Sequence, residues 1–260
     1  MGRAFLLETR DVLTDAPELS DIVSDADDRY GRVGASALNY ETLLGRFGKQ
    51  LQQQQLSFTP VRQSVRPRRN IYIRGEATEH TYVVCEGWAC RVARLLDGRR
   101  QILSLLLPGD MFSPMSPFQD SLEFYVEAIT EVRYATIKNT DLRAKLSEDP
   151  ALLASFMELC VAELNEAHQR LIDLGQRLAE ERIALLILQL MERLDARGMV
   201  HDQSFEFPLR QLQIADAVGL TPVHVSRVMS LLRNSGLIEM QNGVMRILDL
   251  PKLRRIGGLR

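Results

Sequence analysis

The sequence predicts an α+β protein: an N-terminal antiparallel β-roll, one long helix, and a C-terminal winged helix-turn-helix. Three observations carry that reading. Between residues 65 and 137 the apolar residues alternate with period two between turn glycines. From Leu153 to Leu178 they recur in alternating steps of four and three. Near the end, IADAVGLTPVHVSRVMSLLRNSGLI (214–238) reads as two short amphipathic helices about a Gly-Leu-Thr-Pro turn.

At 260 residues and 45% hydrophobic, the chain is long enough for a sizeable core divided between two domains. A net charge of −2 excludes a uniformly basic nucleic-acid coat, so any such contact must be a local patch. The charge is unevenly placed. Asp11, Asp15, Glu18, Asp21, Asp25, Asp27 and Asp28 lie in front, and Arg246, Lys252, Arg254, Arg255 and Arg260 lie behind. Three scattered cysteines, Cys85, Cys90 and Cys160, make no disulfide framework and fit a reducing compartment. The longest apolar run, IALLILQL at 183–190, is too short for a membrane span, and Phe5-Leu6-Leu7 does not extend into a signal-peptide core. The expected location is the cytoplasm, with no membrane partner.

Residues 1–40, rich in Asp and without a sustained period, read as a flexible or weakly helical acidic extension. YETLLGRFGKQLQQQQLSF then has helical spacing, and its glutamines read as a solvated face. The runs IYI, TYVVCEG, ACRVARLL, QILSLLL and EFYVEAI are short strands punctuated by Gly75, Gly87, Gly98 and Gly109, with a hairpin signal at Asp97-Gly98. Such punctuation predicts a compact barrel or jelly roll over 41–150, whose closed shape offers a pocket.

After Asp149-Pro150 the period is helical. Leu153, Met157, Cys160, Leu164, Ala167, Leu171, Leu174 and Leu178 follow the 3.5-residue repeat of a coiled-coil seam, which predicts a dimerisation helix over 151–178. A second stripe of Phe156, Leu159 and Ile172 is assigned to packing on the helix's own domain. A single buried helix in a monomer is the alternative. LAEERIALLILQLMERL begins a further helix ended by Arg197-Gly198, and opens a third region over 179–260. SFEFP is strand-like, and Asn242-Gly243 between two alternating runs signals a type I′ hairpin.

Within 214–238, Thr221 suits an N-cap and Pro222 the first helical position. Val225, Val228, Met229 and Leu232 form the inward stripe, which leaves Val223, Ser226, Arg227 and Ser230 outward and His224 at the edge. In a winged helix-turn-helix the second helix enters the major groove with its N-terminal residues nearest the bases. Arg227 suits the O6/N7 edge of guanine, Ser226 a base or phosphate, and Val223 a thymine methyl. Arg210 and Gln211, at the entry of the first helix, are placed to hold phosphates. A helix-helix-hairpin in an ordinary domain would show the same stripes, with Arg227 a solvated surface residue.

The order of parts resembles the CRP/FNR superfamily of bacterial transcription regulators over residues 41 to 250. Ile214, Ala215, Gly219, Leu220, Thr221, Val225, Ser226, Arg227 and Leu232 fall on the family's I-A-x-x-x-G-L-T-x-x-x-V-S-R-x-x-x-x-L pattern. The resemblance implies that the β-roll is a cyclic-nucleotide-binding-like jelly roll. It further implies a homodimer on pseudo-palindromic double-stranded DNA, with RNA polymerase as a further partner. By the same resemblance Arg227 reads a guanine, Ser226 a neighbouring base, and Arg210 and Gln211 phosphates. One position departs: well-known members have Glu where this chain has Val223, so its operator is expected to differ.

The sensor also departs. Members that bind cyclic nucleotides use Gly-Glu-Leu and a later Arg-Ser or Arg-Thr pair on the phosphate. Here Gly109-Asp110-Met111 half matches, and Leu122-Glu123 stands where the Arg would be, so a phosphate facing Glu123 would lack compensation. Cyclic AMP is therefore not expected. Members with an iron–sulfur cluster place its cysteines in the N-terminal extension, and residues 1–84 contain none. Cys85 and Cys90 read as packing, Cys160 as an apolar knob on the seam, and His80 and His168 as surface or interface residues rather than haem ligands. No cofactor is evident and the effector is left unassigned.

Enzyme motifs are absent: there is no G-x-S-x-G, P-loop or H-E-x-x-H, and residues 81–137 hold no histidine for a cupin-like metal site. The remaining alternative is a β-roll ligand-binding regulatory module without DNA binding. The expected mechanism is a signal in the β-roll that alters packing along the long helix and so the spacing of the recognition helices.

Overall fold

The structure, a computed structural model, describes residues 47–258 apart from 52, 57, 58, 62 and 63. The acidic extension and the first part of the helix expected from Tyr40 lie outside the described residues; 47–51 are helical. Seven strands follow: β1 (Thr59–Pro60), β2 (Asn70–Tyr72), β3 (His80–Glu86), β4 (Ala89–Arg94), β5 (Arg100–Leu106), β6 (Tyr125–Ala128) and β7 (Arg133–Lys138). They form two antiparallel sheets ordered β1-β7-β3 and β2-β6-β4-β5. Tyr72, Val84, Leu106, Val126 and Val132 from both sheets share one apolar cluster. Alternation puts these side chains on inner faces, and on β4 and β5 the opposite face is buried too, with Val92, Ile102 and Leu105 in a second apolar cluster. Gly87 shows why turn glycines punctuate the pattern: φ is +80°, and a Cβ there would lie 1.9 Å from the Glu131 carbonyl oxygen.

Helix α1 (Asn139–Glu148) closes the roll and was not anticipated by strand periodicity. The long helix α2 (Pro150–Gln176) begins at Asp149, whose carboxylate accepts the N–H groups of Ala151 and Leu152 at 2.8 and 3.1 Å, with Pro150 at a position that lacks no bond. Leu152, Phe156 and Leu159 bury one face of α2 against Phe47, Leu142 and Leu146.

Two expectations on this helix are corrected. Leu178 is not on it: α2 ends at Gln176, and Leu178 is the extended N-cap of α3 (Ala179–Asp195). Ile172 is not on the inner stripe but 48% exposed. It lies thirteen residues beyond Leu159, which at 3.6 residues per turn is about 220° around the axis, on the opposite side. Val161, also exposed, shares its line.

Helix α3 is apolar on nearly every side, with Ile183, Ala184, Ile187, Leu188, Leu190 and Leu194 all buried, and such a helix must lie inside. Around it pack β8 (Ser204–Glu206), α4 (Gln211–Val218), α5 (Pro222–Asn234), β9 (Ile238–Gln241), β10 (Val244–Ile247) and α6 (Leu250–Ile256). The strands form an antiparallel sheet ordered β8-β10-β9. The core of this unit is continuous with the β-roll: Trp88, Val92, Ile102 and Leu105 belong to the same cluster as Ile187, Ile214 and Val225.

Candidate nucleic-acid interface

Helices α4 and α5 are set by local chemistry. Gly219 ends α4 in the left-handed conformation (φ +66°), and its N–H donates to the Ala215 carbonyl. Two residues later Thr221 starts α5, its hydroxyl accepting the His224 N–H at 3.3 Å, with Pro222 in the first turn. Val225, Val228, Met229 and Leu232 are buried against α3 and its neighbours. Each full burial of such a side chain contributes roughly 1.5–3 kcal/mol, which fixes the rotation of α5 about its axis. That rotation leaves Val223 and Arg227 exposed and Ser226 half-buried at the edge of the free face.

Arg210 is the N-cap of α4, where its backbone N–H donates to Gln213 Oε1 at 2.9 Å, and both Arg210 and Gln211 are exposed. The acidic residue of α4, Asp216, points away from this surface and pairs with Arg100 of β5 at 2.8 Å. Among the described residues no ion pair engages Arg227 or Arg210, so both guanidinium groups are free to meet an anion. Asn242 (φ +51°) and Gly243 (φ +77°) make the tight hairpin between β9 and β10, with Met245 and Ile247 inward and Val244 and Arg246 outward. A free helix face of small and basic residues, beside an exposed hairpin, matches a duplex groove and its phosphates in shape and charge.

The stripe on α2 is unevenly free. Leu153, Met157, Leu164 and Leu171 are 39–69% exposed in the single chain, and Ala167 is exposed too. Leu174 is only half exposed, because its Cδ2 lies 3.2 Å from where a Cβ on Gly219 would stand; it packs on the helix-turn-helix turn. Cys160 is half-buried against the Phe156 cluster, and burial pushes its thiol up to about 11. Leu178, beyond the helix, is 43% exposed.

Leu122 and Glu123, which stand where cyclic-nucleotide-binding members carry the phosphate-gripping Arg, do not share one face of the β-roll. Glu123 is on the surface, paired with Arg74 at 2.7 Å, and does not face an interior phosphate; Leu122 beside it fills the apolar cluster. Asp110, 1% exposed, is held by Arg193 and Arg197 at 2.5 and 2.6 Å. Between β4, β5 and α2, Arg91 donates to Ser104 Oγ at 3.1 Å and pairs with Glu163. Cys85 is exposed and Cys90 buried. His168 is exposed and His80 half-buried, and no cluster of metal-ligating side chains occurs among the described residues.

Sequence reasoning missed the arginines that α2 and α3 direct at the β-roll, because nothing in periodicity says which carboxylate or carbonyl a long side chain will reach. It also missed α6, for which Asp249 followed by Pro251 was a readable start: the Asp249 carboxylate accepts the Lys252 N–H at 2.9 Å.

Comparison with known proteins places both halves. Residues 181–256 match the model of the Crp-like helix-turn-helix domain, and residues 62–149 that of the cyclic nucleotide-binding domain. The nitrogen fixation regulation protein FixK of Azorhizobium caulinodans is 34% identical over 183 residues, covering 70% of this chain and 73% of that protein. Its counterpart in Rhizobium meliloti is 35% identical over 188 residues, covering 72% and 81%. The solved structure of FixK2 from Bradyrhizobium japonicum superposes with a TM-score of 0.69 at 27% identity, over 76% of this chain and 97% of that one.

Proposed function

Since the chain belongs to the CRP/FNR superfamily of transcription regulators and carries its helix-turn-helix DNA-binding domain, we propose that it acts as a homodimer on a pseudo-palindromic operator. In this reading α5 of each copy lies in one of two successive major grooves. Arg227 reads a guanine, Ser226 a neighbouring base and Val223 a thymine methyl, Thr221 and Pro222 start the helix at the groove wall, and Arg210 and Gln211 hold phosphates. The observation that carries the reading is the orientation of α5: the buried stripe Val225, Val228, Met229 and Leu232 turns Val223 and Arg227 to solvent.

Dimerisation is assigned to α2. Leucines half exposed at coiled-coil spacing leave apolar area in water that a second copy of the same helix removes. Leu164 and Leu171 are the centre of that seam, with Leu174 and Cys160 at its flanks.

We further infer that the regulator needs no cyclic nucleotide and carries no cofactor. In support, the residues present do not fit a cyclic phosphate: Leu122 is buried in the apolar cluster, Glu123 faces solvent, and the polar gap beneath α2 is closed by Arg91 and Glu163. The relatives named above are nitrogen fixation regulation proteins, which supports a non-catalytic role. Among the described residues no helix is long and apolar enough to cross a membrane, and we assign the protein to the cytoplasm, with RNA polymerase as its further partner.

The test is selection of duplexes from a randomised DNA pool by the purified protein at moderate salt, without added ligand. Enrichment of a two-fold symmetric site is expected. Failure to enrich any sequence would favour a β-roll module that does not bind DNA.

A further inference from the structure

Among the described residues, strand β5 is an edge strand, paired with β4 on one side and with no strand on the other. The free edge of such a strand presents carbonyls two residues apart that need donors. Here arginines of α2, of α3 and of the turn after α3 take them. Arg170 of α2 donates to the Leu103 carbonyl, Arg193 of α3 to that of Leu105 at 3.1 Å, and Arg197 to that of Pro108, just past the strand, at 2.8 Å. Burial pushes the Arg170 guanidinium down to about 10, which leaves it charged at neutral pH.

Arg193 of α3 and Arg197, two residues past the end of that helix, also close on one carboxylate. Arg193 Nη2 and Arg197 Nη2 reach the two oxygens of Asp110, and Asp110 Oδ2 accepts the Leu107 N–H at 2.7 Å, so the turn after β5 is held through the same group. At the other end of β5, Arg100 pairs with Asp216 of α4, and Gln101 Nε2 donates to the Ala217 carbonyl at 3.3 Å. Between these polar ends lies the shared apolar core of Val92, Ile102, Leu105, Ile187 and Ile214. Both ends of β5 are thus fastened to the unit that carries the recognition helix, and a nearly buried carboxylate such as Asp110 tolerates no loss of its partners without penalty.

We propose that this two-ended clasp on β5 is what positions the helix-turn-helix: it fixes α5 relative to the α2 seam, so that a dimer presents its two recognition helices at one separation. The inference rests on the operator-binding reading above. Asp110, Arg193, Arg197, Arg100 and Asp216 act as positioning residues; none of them touches DNA in this account. A rigid pair of reading heads binds two half-sites with the gain of a linked, preorganised ligand, and only at the matching spacing.

The experiment uses the operator obtained by selection, together with versions in which one or two base pairs are inserted or removed between the half-sites. Wild-type protein is compared with Asp110→Asn and, separately, with the double variant Arg100→Gln, Asp216→Asn, whose sites are less buried. The expected result is a fall of about tenfold in affinity for the best spacing with little change at the others, so that spacing preference flattens. A uniform fall across all spacings reports only a smaller active fraction and overturns the proposal, as does an unchanged preference. Small-angle X-ray scattering gives a readout free of DNA: the variants should show a larger maximum dimension than wild type at equal dimer mass. An unchanged profile overturns the clasp. If the pool yields no operator, the DNA reading has failed, and the scattering still decides this one.

Discussion

The Thr221 hydroxyl and the His224 N–H are joined across the first turn of α5 at 3.3 Å, while the Thr221 carbonyl accepts the Val225 N–H at 3.0 Å. One residue therefore satisfies an otherwise orphaned donor and begins the helix ladder, at the end of the helix nearest the proposed groove. Thr221→Ala is expected to lower stability by about 1 kcal/mol, read as a lower Tm, and Thr221→Ser to restore most of it. Equal Tm for the alanine variant and wild type would show that the cap contributes nothing here.

Arg227 stands exposed one turn into α5. Its replacement by alanine should reduce operator affinity by roughly 1–3 kcal/mol per half-site at fixed salt, while binding to unrelated duplex changes much less and the dimer mass is unaltered. Wild-type-like operator affinity in that variant would remove Arg227 from base recognition.

Leu164 and Leu171, 54% and 69% exposed in the single chain, contribute little to the fold of one copy. Changing either to Asn should leave the near-UV circular dichroism unchanged but shift the mass in sedimentation toward the monomer. A two-fold axis counts each loss of roughly 1.5–3 kcal/mol twice. An unchanged mass at micromolar concentration would sink the seam. Ile172→Asn, off that line, is the control.

Cys90 is buried in the core between β4 and the helical unit, and desolvation, with Glu127 nearby, pushes its thiol from 9.0 up to about 12. A folded value raised above the unfolded one stabilises the fold fully below pH 9 and ceases to do so as pH rises toward 12. Stability should therefore fall between these values in urea melts, and Cys90→Ala should flatten that fall relative to wild type. An identical slope in both proteins would assign the alkaline loss to other groups.

Much of the architecture follows from local rules and was legible in the residues. Period two and turn glycines mark the β-roll because alternate side chains face opposite sides of a sheet. Asp149-Pro150 and Thr221-Pro222 mark helix starts because a capping oxygen and a proline suit the same termini. Asn242-Gly243 marks the wing because both positions need positive φ. The candidate interface was legible for the same reason: burial of one stripe of α5 dictates what its other side shows.

Where the reading went wrong, tertiary geometry had intervened. Leu178 continues the seam in spacing, but the chain leaves the helix at Arg177, whose guanidinium pairs with Asp173 at 2.7 Å and donates to the Gly257 carbonyl at 2.9 Å, far along the chain. Linear order also set Glu123 where a cyclic phosphate would face it, but Glu123 lies outside the roll beside Arg74.

The sequence by itself determined most of the elements, their order, the inner face of α5 and the side chains left on that helix, since each depends on neighbours within a few residues. Only the tertiary structure decided how the β-roll holds the helix-turn-helix. Asp110 meets Arg193 and Arg197, and Arg100 meets Asp216, across separations of more than eighty residues. No local preference encodes such pairs, because long flexible side chains find their partners only after the core has brought β5, α3 and α4 together.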